Sequence, residues 1–327
     1  MEKTAETTKS ESPYVPGVTK RKTVQLGHNQ LKLEKILLIC VFLIIPLTSL
    51  ILFTYVPLFD MVRYSMYHYN GYADPEPVFV ANGADKLFKD NYYLVFKNPD
   101  YWKPLQVSGV YLIGSFVQIA IALYFATIFY FRPKGAGFFK AVIFIPSLLN
   151  GVAISLMFLL IFKNDSSSQG VLNSWIIASG GQPVSWFNGF WRANLVLAFI
   201  SVWRYLGNNM VMFAGTMESV SKDEIEASEI DGAGKWQQFL HILLPDIKDI
   251  VFLNLILAVN GAVQVFEIPY VMQPSNPYTK TFIMKTMEIA FNQNQIGLAA
   301  ALGIVMLLIV SVIALFQKAF EKKTGAN

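Results

Sequence analysis

The sequence predicts an all-α, polytopic membrane protein with six spanning helices, and three observations carry that prediction. Of the 327 residues, 54% are hydrophobic and only 15% are charged, with a mean hydropathy of +0.43. The apolar residues cluster into six runs, near 36–59, 108–131, 141–162, 193–217, 250–272 and 296–316. Each run is at least as long as the roughly 20 residues that cross a hydrocarbon core. Lipid cannot satisfy an open sheet edge, so such runs are read as helices. The organisation that follows is a polar tail over 1–34, a membrane domain over 35–320 and a short tail over 321–327. Within the domain, a long loop spans 60–107 and a polar loop spans 218–248.

In chain order, the tail carries Pro13 and Pro16 among polar residues and is expected to be loosely ordered. The first run is too long and too late for a cleaved signal peptide, and no small-residue cleavage site follows it. It holds the sole cysteine, Cys40, which forms no internal disulfide and is expected to pack. Pro46 and Pro146 sit inside the first and third runs and are expected to kink them. Gly297, Ala299, Ala300, Ala301 and Gly303 open the sixth run, a pattern that permits close helix packing. Asn164, Asp165 and Ser166 read as a turn.

Orientation follows from lysine and arginine in the loops. The tail carries Lys3, Lys9, Lys20, Arg21, Lys22, Lys32 and Lys35. The short loop after the second run carries Arg132, Lys134 and Lys140, and the C-terminus carries Lys318, Lys322 and Lys323. Under six spans these segments share one side, which places both termini in the cytoplasm. The basic residues of 60–107 lie in a long loop, which crosses a membrane despite them.

The loop at 218–249 breaks the basic trend. Glu218, Asp223, Glu224, Glu226, Glu229, Asp231, Asp246 and Asp249 face only Lys222, Lys235 and Lys248. Ser221 and Glu224 have capping-box spacing, so a helix is predicted from Lys222. Its early acids complement the helix dipole. Gly232 and Gly234 allow a turn. A second helix then places Trp236, Phe239, Leu240 and Leu243 on one apolar stripe, and Pro245 marks the entry to the fifth run. A solvated acidic loop would not need that stripe, and an exposed apolar face needs cover. Eight acids disfavour a resting place on anionic headgroups.

Here the chain resembles a family. Glu226-Ala227-Ser228, then Asp231-Gly232-Ala233, Phe239, and Ile242, Leu244 and Pro245 look like the EAA loop of binding-protein-dependent ABC importer permeases. Ser228 stands where the family pattern has a second alanine. The resemblance covers most of 35–320 and implies a type I ABC importer permease fold. It implies that 222–244 is a coupling helix seated in a cleft of an ATPase subunit. In that role Glu226 meets a basic residue, Ala227 and Ser228 allow close approach, Gly232 folds the helix pair, and Asp231, Phe239, Leu244 and Pro245 complete the element. Weaker marks resemble the carbohydrate branch: Asn91-Tyr92 with Pro99 and Trp102, Gly170 through Asn173, and Phe266 through Tyr270 followed by Pro277 and Thr279. Ser275-Asn276-Pro277 replaces the usual Gly-Gly-Pro. The implied partners are a second permease subunit in a heterodimer, two ATPase subunits, an extracytoplasmic sugar-binding protein and membrane lipid. The implied location is a bacterial-type cytoplasmic membrane.

Polar residues inside spans need a partner or a cavity. The fourth run holds Arg204 and Asn208, four apart on one face. The fifth holds Asn260, Gln264 and Glu267, again on one face, and the third holds Asn150. With Tyr270, Trp203 and Phe266 as aromatic faces, these residues are candidates to line a sugar path. The competing account makes Arg204 and Glu267 a structural ion pair and the amides interhelical hydrogen bonds. Arg204 lies nearer mid-span than Glu267, so a direct pair is not expected to reach.

Chemistry is excluded elsewhere. Gly234-Lys235 superficially resembles a phosphate-binding loop, but residue 229 is Glu and residue 236 is Trp, so both the first glycine and the hydroxyl are missing. His28, His68 and His241 are scattered, and no nucleophile with its base is present. No catalytic, cofactor or metal residue is expected, and no aromatic-interleaved basic patch points to nucleic acid. Two readings follow. One is a permease subunit importing a sugar or oligosaccharide with ATP hydrolysed by separate subunits. The other is a self-sufficient secondary transporter driven by an ion gradient, although no repeat between the two halves is evident.

Overall fold

The structure, a computed structural model, describes residues 28–69, 78–79, 91–165 and 167–324. The expectation for residues 1–27 and much of that for 60–107 lie outside the described residues, as does Ser166. Helices are numbered in chain order. The first compact unit ends at Leu58. It contains α1 (His28–Leu50) and a π turn at Ile51–Tyr55. The helix begins at His28, inside the polar tail assigned to 1–34. From Lys35 through the π turn the described side chains are nearly all exposed, with Phe42, Ile45 and Phe53 more than 70% exposed. Only lipid or a partner helix suits such a surface. Cys40 is exposed on it, which corrects the expected packing role. The π turn precedes Pro57, whose ring would otherwise press on the carbonyl four residues back.

The second unit runs from Phe59. It takes in the end of α2 (Val56–Ser65), then α3 (Asn91–Lys97), α4 (Lys103–Tyr130), α5 (Ala136–Leu148), α6 (Gly151–Ile161), α7 (Val171–Ala178) and α8 (Phe190–Met217). It continues with α9 (Lys222–Ile230), α10 (Lys235–Gln238), α11 (Leu244–Asp246), α12 (Lys248–Val263), α13 (Glu267–Met272), α14 (Phe282–Met287) and α15 (Ile296–Thr324). A two-residue antiparallel ladder pairs β1 (Tyr67–His68) with β2 (Val78–Phe79). Among the described residues five helical stretches are long and apolar enough to cross a membrane, and a bent pair makes a sixth.

The core is built on α4 and α8. Small residues let these two backbones approach: a Cβ at Gly114 would touch Ala198 and Val202, and Ala122, Ala126 and Ala193 are fully buried. This is how spans associate where lipid removes the hydrophobic drive. Gly207 plays the same role against α5, because a Cβ there would overlap the Ile143 carbonyl and the Phe144 backbone. At the start of α15, a Cβ on Gly297 would overlap the Tyr67 carbonyl, and Ala299, Ala300 and Ala301 are buried.

Two spans depart from a single straight helix. Across 141–162, α5 and α6 meet at 99°. Leu149 and Asn150 are extended, and the Asn150 side chain caps α6 by accepting from the Val152 N–H at 2.8 Å. Proline at 146 and the cap at 150 break the helix inside a continuous apolar run. Across 250–272, the chain breaks between α12 and α13, where Phe266 is non-helical. The last helix runs beyond its hydrophobic stretch to Thr324.

The residues resembling the carbohydrate branch have structural work. Asn91 donates to the Ser65 and Tyr67 carbonyls, both at 2.9 Å, and Trp102 donates to the Val95 carbonyl at 2.9 Å. Asn173 is fully buried and exchanges hydrogen bonds with the Val184 backbone while accepting from Trp186 Nε1. Asn276 donates to the Phe187 carbonyl, and Asn194 donates to that of Tyr278. These amides fix irregular connections where backbone groups lack ladder partners.

Candidate functional site

Two features concentrate the polar residues of the second unit. The first is the helical hairpin at 222–246. α9 starts at Ser221, whose side chain makes no capping bond, so the capping box expected with Glu224 does not form. α9 ends in a Schellman motif. The Ala233 N–H donates to the Ser228 carbonyl at 2.9 Å, the Gly232 N–H donates to that of Glu229 at 3.1 Å, and Gly232 has φ of 82°. Only glycine takes that conformation freely. The second arm is capped instead at Gly234, whose N–H donates to Gln237 Oε1 at 2.8 Å.

The two arms are tied together by Ser228. Its hydroxyl donates to the Ile225 carbonyl at 2.7 Å and accepts from buried Gln238 at 3.1 Å. Ser228 therefore does more than keep the position small. A π turn at Phe239–Leu243 follows, again just before a proline, Pro245. The expected single stripe is split. Phe239 and Leu243 are buried, with Ile225 and Ile247, against Ile119, Met210, Phe213 and Met217 of the α4–α8 core. Trp236 and Leu240 are 62% and 39% exposed, Trp236 lying beside Tyr124, Ile128 and Phe131 at the end of α4. Ile230 is 87% exposed. Glu226, Ala227, Asp231 and Gly232 share the exposed side, Leu244 is half-buried and Pro245 is exposed. One flank is thus anchored in the spans, and α9 offers acid beside the uncovered Ile230.

The second feature is a cavity of about 580 Å³ among α4, α8, α12 and α13, within the size range of small-molecule sites. Each helix contributes one face. From α4 come Tyr111, Ser115 and Gln118, from α8 Ser201, Arg204, Tyr205, Asn208 and Asn209, and from α12 Asn254. Gln264 and Phe266 come from the break before α13, and Glu267 is the first residue of α13. Arg204, Asn208, Gln264 and Glu267 were singled out by sequence. Asn150, Asn260 and Tyr270 do not line this cavity. Asn150 is spent on its cap. Asn260 donates back to the Ile256 carbonyl at 3.1 Å, and Gln317 of α15 donates to the same carbonyl. Tyr270 stacks on Phe266 with centroids 4.7 Å apart. Tyr111, Ser115 and Gln118 went unread, although their spacing of four and three was a helical-face signal.

Arg204 and Glu267 do meet, Nη1 to Oε2 at 2.6 Å, which corrects the expectation that they fall short. The break at 264–266 carries Glu267 across. The pair rests on the first turn of α6: a Cβ on Gly151 would overlap Arg204 Nη1 and the Glu267 carboxyl. The positive end of α6 favours the carboxylate there. Arg204 Nε and Tyr111 Oη are buried without a hydrogen-bond partner. The guanidinium also lies 5.0 Å from the Tyr205 ring centroid. Among the described residues no group of histidine, cysteine or acids could hold a metal ion.

Comparison with known proteins agrees with this architecture. Residues 118–326 match the family described as the binding-protein-dependent transport system inner membrane component. The chain is 28% identical over 286 residues to the "Probable ABC transporter permease protein YurN" of Bacillus subtilis, covering 85% of this chain and 94% of that one. It is 28% identical over 230 residues to the "Arabinooligosaccharides transport system permease protein AraP" of Bacillus subtilis, covering 69% and 73%. Among solved structures, it superposes on a chain of a bacterial ABC transporter involved in alginate import with a TM-score of 0.75, at 17% identity. That superposition covers 89% of this chain and 97% of the other.

Proposed function

The chain belongs to the inner membrane components of binding-protein-dependent transport systems, and from that premise we propose that it is the permease subunit importing a sugar or oligosaccharide. A single observation carries the energetic half of this reading. The hairpin at 222–246 buries Phe239 and Leu243 in the spans while Glu226 and Ile230, one turn apart on α9, are both exposed. A surface of that kind suits a partner with a basic, partly apolar cleft, and ATPase subunits fill that role. ATP-driven closure of two such subunits pulls the hairpin, the hairpin moves α4 and α8, and access to the cavity switches sides.

The cavity supports the substrate half. Amides, hydroxyls and the rings of Tyr111, Tyr205 and Phe266 converge there, a lining that suits a sugar. Relatives named for oligosaccharide transport support the same class. In this reading both termini and the hairpin are cytoplasmic, a placement that the basic loops support. A second permease subunit completes the pathway as a heterodimer, and an extracytoplasmic binding protein delivers the sugar.

The test is reconstitution with the companion permease, ATPase and binding protein in vesicles. ATP-dependent uptake of radiolabelled oligosaccharide is expected. Uptake by this polypeptide alone, driven by a proton gradient, would overturn the proposal.

A further inference from the structure

The cavity lining contains one cation and one anion, Arg204 and Glu267, and they neutralise each other at 2.6 Å. The remaining polar groups, among them Gln118, Asn208, Asn254 and Gln264, are uncharged. A guanidinium in a cavity with amides would by itself be a strong carboxylate site, because its fork matches a carboxylate in two hydrogen bonds. Here one arm is already taken. The competing carboxylate belongs to the protein and is held in place twice, by the guanidinium and by the first turn of α6, where residue 151 has no Cβ to displace it. The Arg204 Nε is buried and without a partner, so the ligand-facing part of this residue is the guanidinium arm that Glu267 holds.

We infer that Glu267 occupies the anion-binding position of Arg204 and so selects uncharged saccharides over those bearing carboxylates. This rests on the sugar reading above. An acidic sugar entering the cavity would have to displace Glu267 or bring a second negative charge beside it, and like charges at that range repel. A neutral sugar needs neither. Removing Glu267 frees the guanidinium, and the cavity becomes cationic. Removing Arg204 leaves the carboxylate alone, and the cavity becomes anionic.

The test uses the assembled transporter in nanodiscs without its binding protein, so that only the membrane cavity selects. Binding is measured for matched tetrasaccharide pairs that differ only at C6: gluco- against glucurono-, galacto- against galacturono-, manno- against mannurono-. The wild type is expected to favour the neutral member by at least tenfold. Glu267→Gln should lower that preference at least tenfold, and Arg204→Gln should raise it. The double variant should restore the wild-type value. A general structural role would move both single variants in the same direction. Equal binding of both members by the wild type, or single variants that leave the ratio unchanged or shift it the same way, would overturn the inference. If one single variant fails to assemble, the other and the double variant still decide the sign. Absence of binding by every sugar of both classes would instead remove the sugar reading on which the inference rests.

Discussion

Replacing Leu243 by alanine cuts the hairpin loose from the bundle. Leu243 has no exposed surface and packs with Phe239 and Ile247 in the cluster that includes Met210, Phe213 and Met217. A buried Leu→Ala change costs roughly 2–5 kcal/mol, through lost transfer energy and the void left behind. Large neighbours at the end of the spans can relax into part of that void, so about 2–3 kcal/mol is the expected cost. At roughly 1.4 kcal/mol per factor of ten, detachment of the segment becomes about 30- to 140-fold more frequent. Hydrogen exchange reads this directly, because amides protected by local packing exchange in proportion to local opening. Exchange at residues 239–247 should accelerate by that factor in detergent or nanodiscs, while α15 is unaffected. Ile230→Ser makes the contrast. At 87% exposure it should change stability by less than about 0.5 kcal/mol, yet lower the amount of ATPase subunit retained on purification. Unchanged exchange in Leu243→Ala would show that the hairpin is not anchored through this side chain.

Three further outcomes follow from the geometry. Gly207→Val should lower the thermal stability of the purified protein, because its Cβ overlaps the Ile143 carbonyl of α5; Gly215→Val, where a Cβ meets nothing within 4 Å, should be far milder. Asn173→Ala should cost about 1–3 kcal/mol by orphaning the Val184 backbone and Trp186 Nε1, seen as faster proteolysis between 179 and 189. Glu288 is held below the usual carboxylate range, chiefly by its hydrogen bond from Lys280 at 2.6 Å and then by the charge of Lys285. Its folded pKa is depressed, so the unfolded state takes up the proton first. That stabilisation is present above the ordinary carboxylate pKa and is lost as pH falls through the lower folded value. Thermal unfolding followed from pH 7 to pH 3 should therefore fall more steeply for the wild type than for Glu288→Gln.

The spans were legible because lipid demands long apolar runs, and hydropathy reports little else. The hairpin was legible because Gly232 sits where a left-handed residue is required and flanking apolar residues repeat at helical spacing. Hydropathy is blind to direction within a run. It could not separate α5 from α6, although Pro146 and the Asn150-Gly151 pair stood at the break. The same blindness hid the meeting of Arg204 with Glu267, which depends on the non-helical residues before α13. Tyr111, Ser115 and Gln118 were missed because hydroxyls and single amides in an apolar helix carry a weak signal one at a time. Their common face emerges only when α8 and α12 are packed beside them. Asn150 and Asn260 had the composition expected of a lining, yet both satisfy nearby backbone, a use of asparagine that composition alone does not distinguish.

Proximity of the exposed hairpin flank to an ATPase subunit is the measurement that bears most directly on the account. In a Cys40→Ser background, Glu226→Cys or Ile230→Cys should cross-link to the ATPase subunit in membranes, and addition of ATP should alter the yield. Ser179→Cys, placed after α7, should not. If neither hairpin cysteine reaches the ATPase while the assembly still hydrolyses ATP and transports, the force enters elsewhere and the account is wrong.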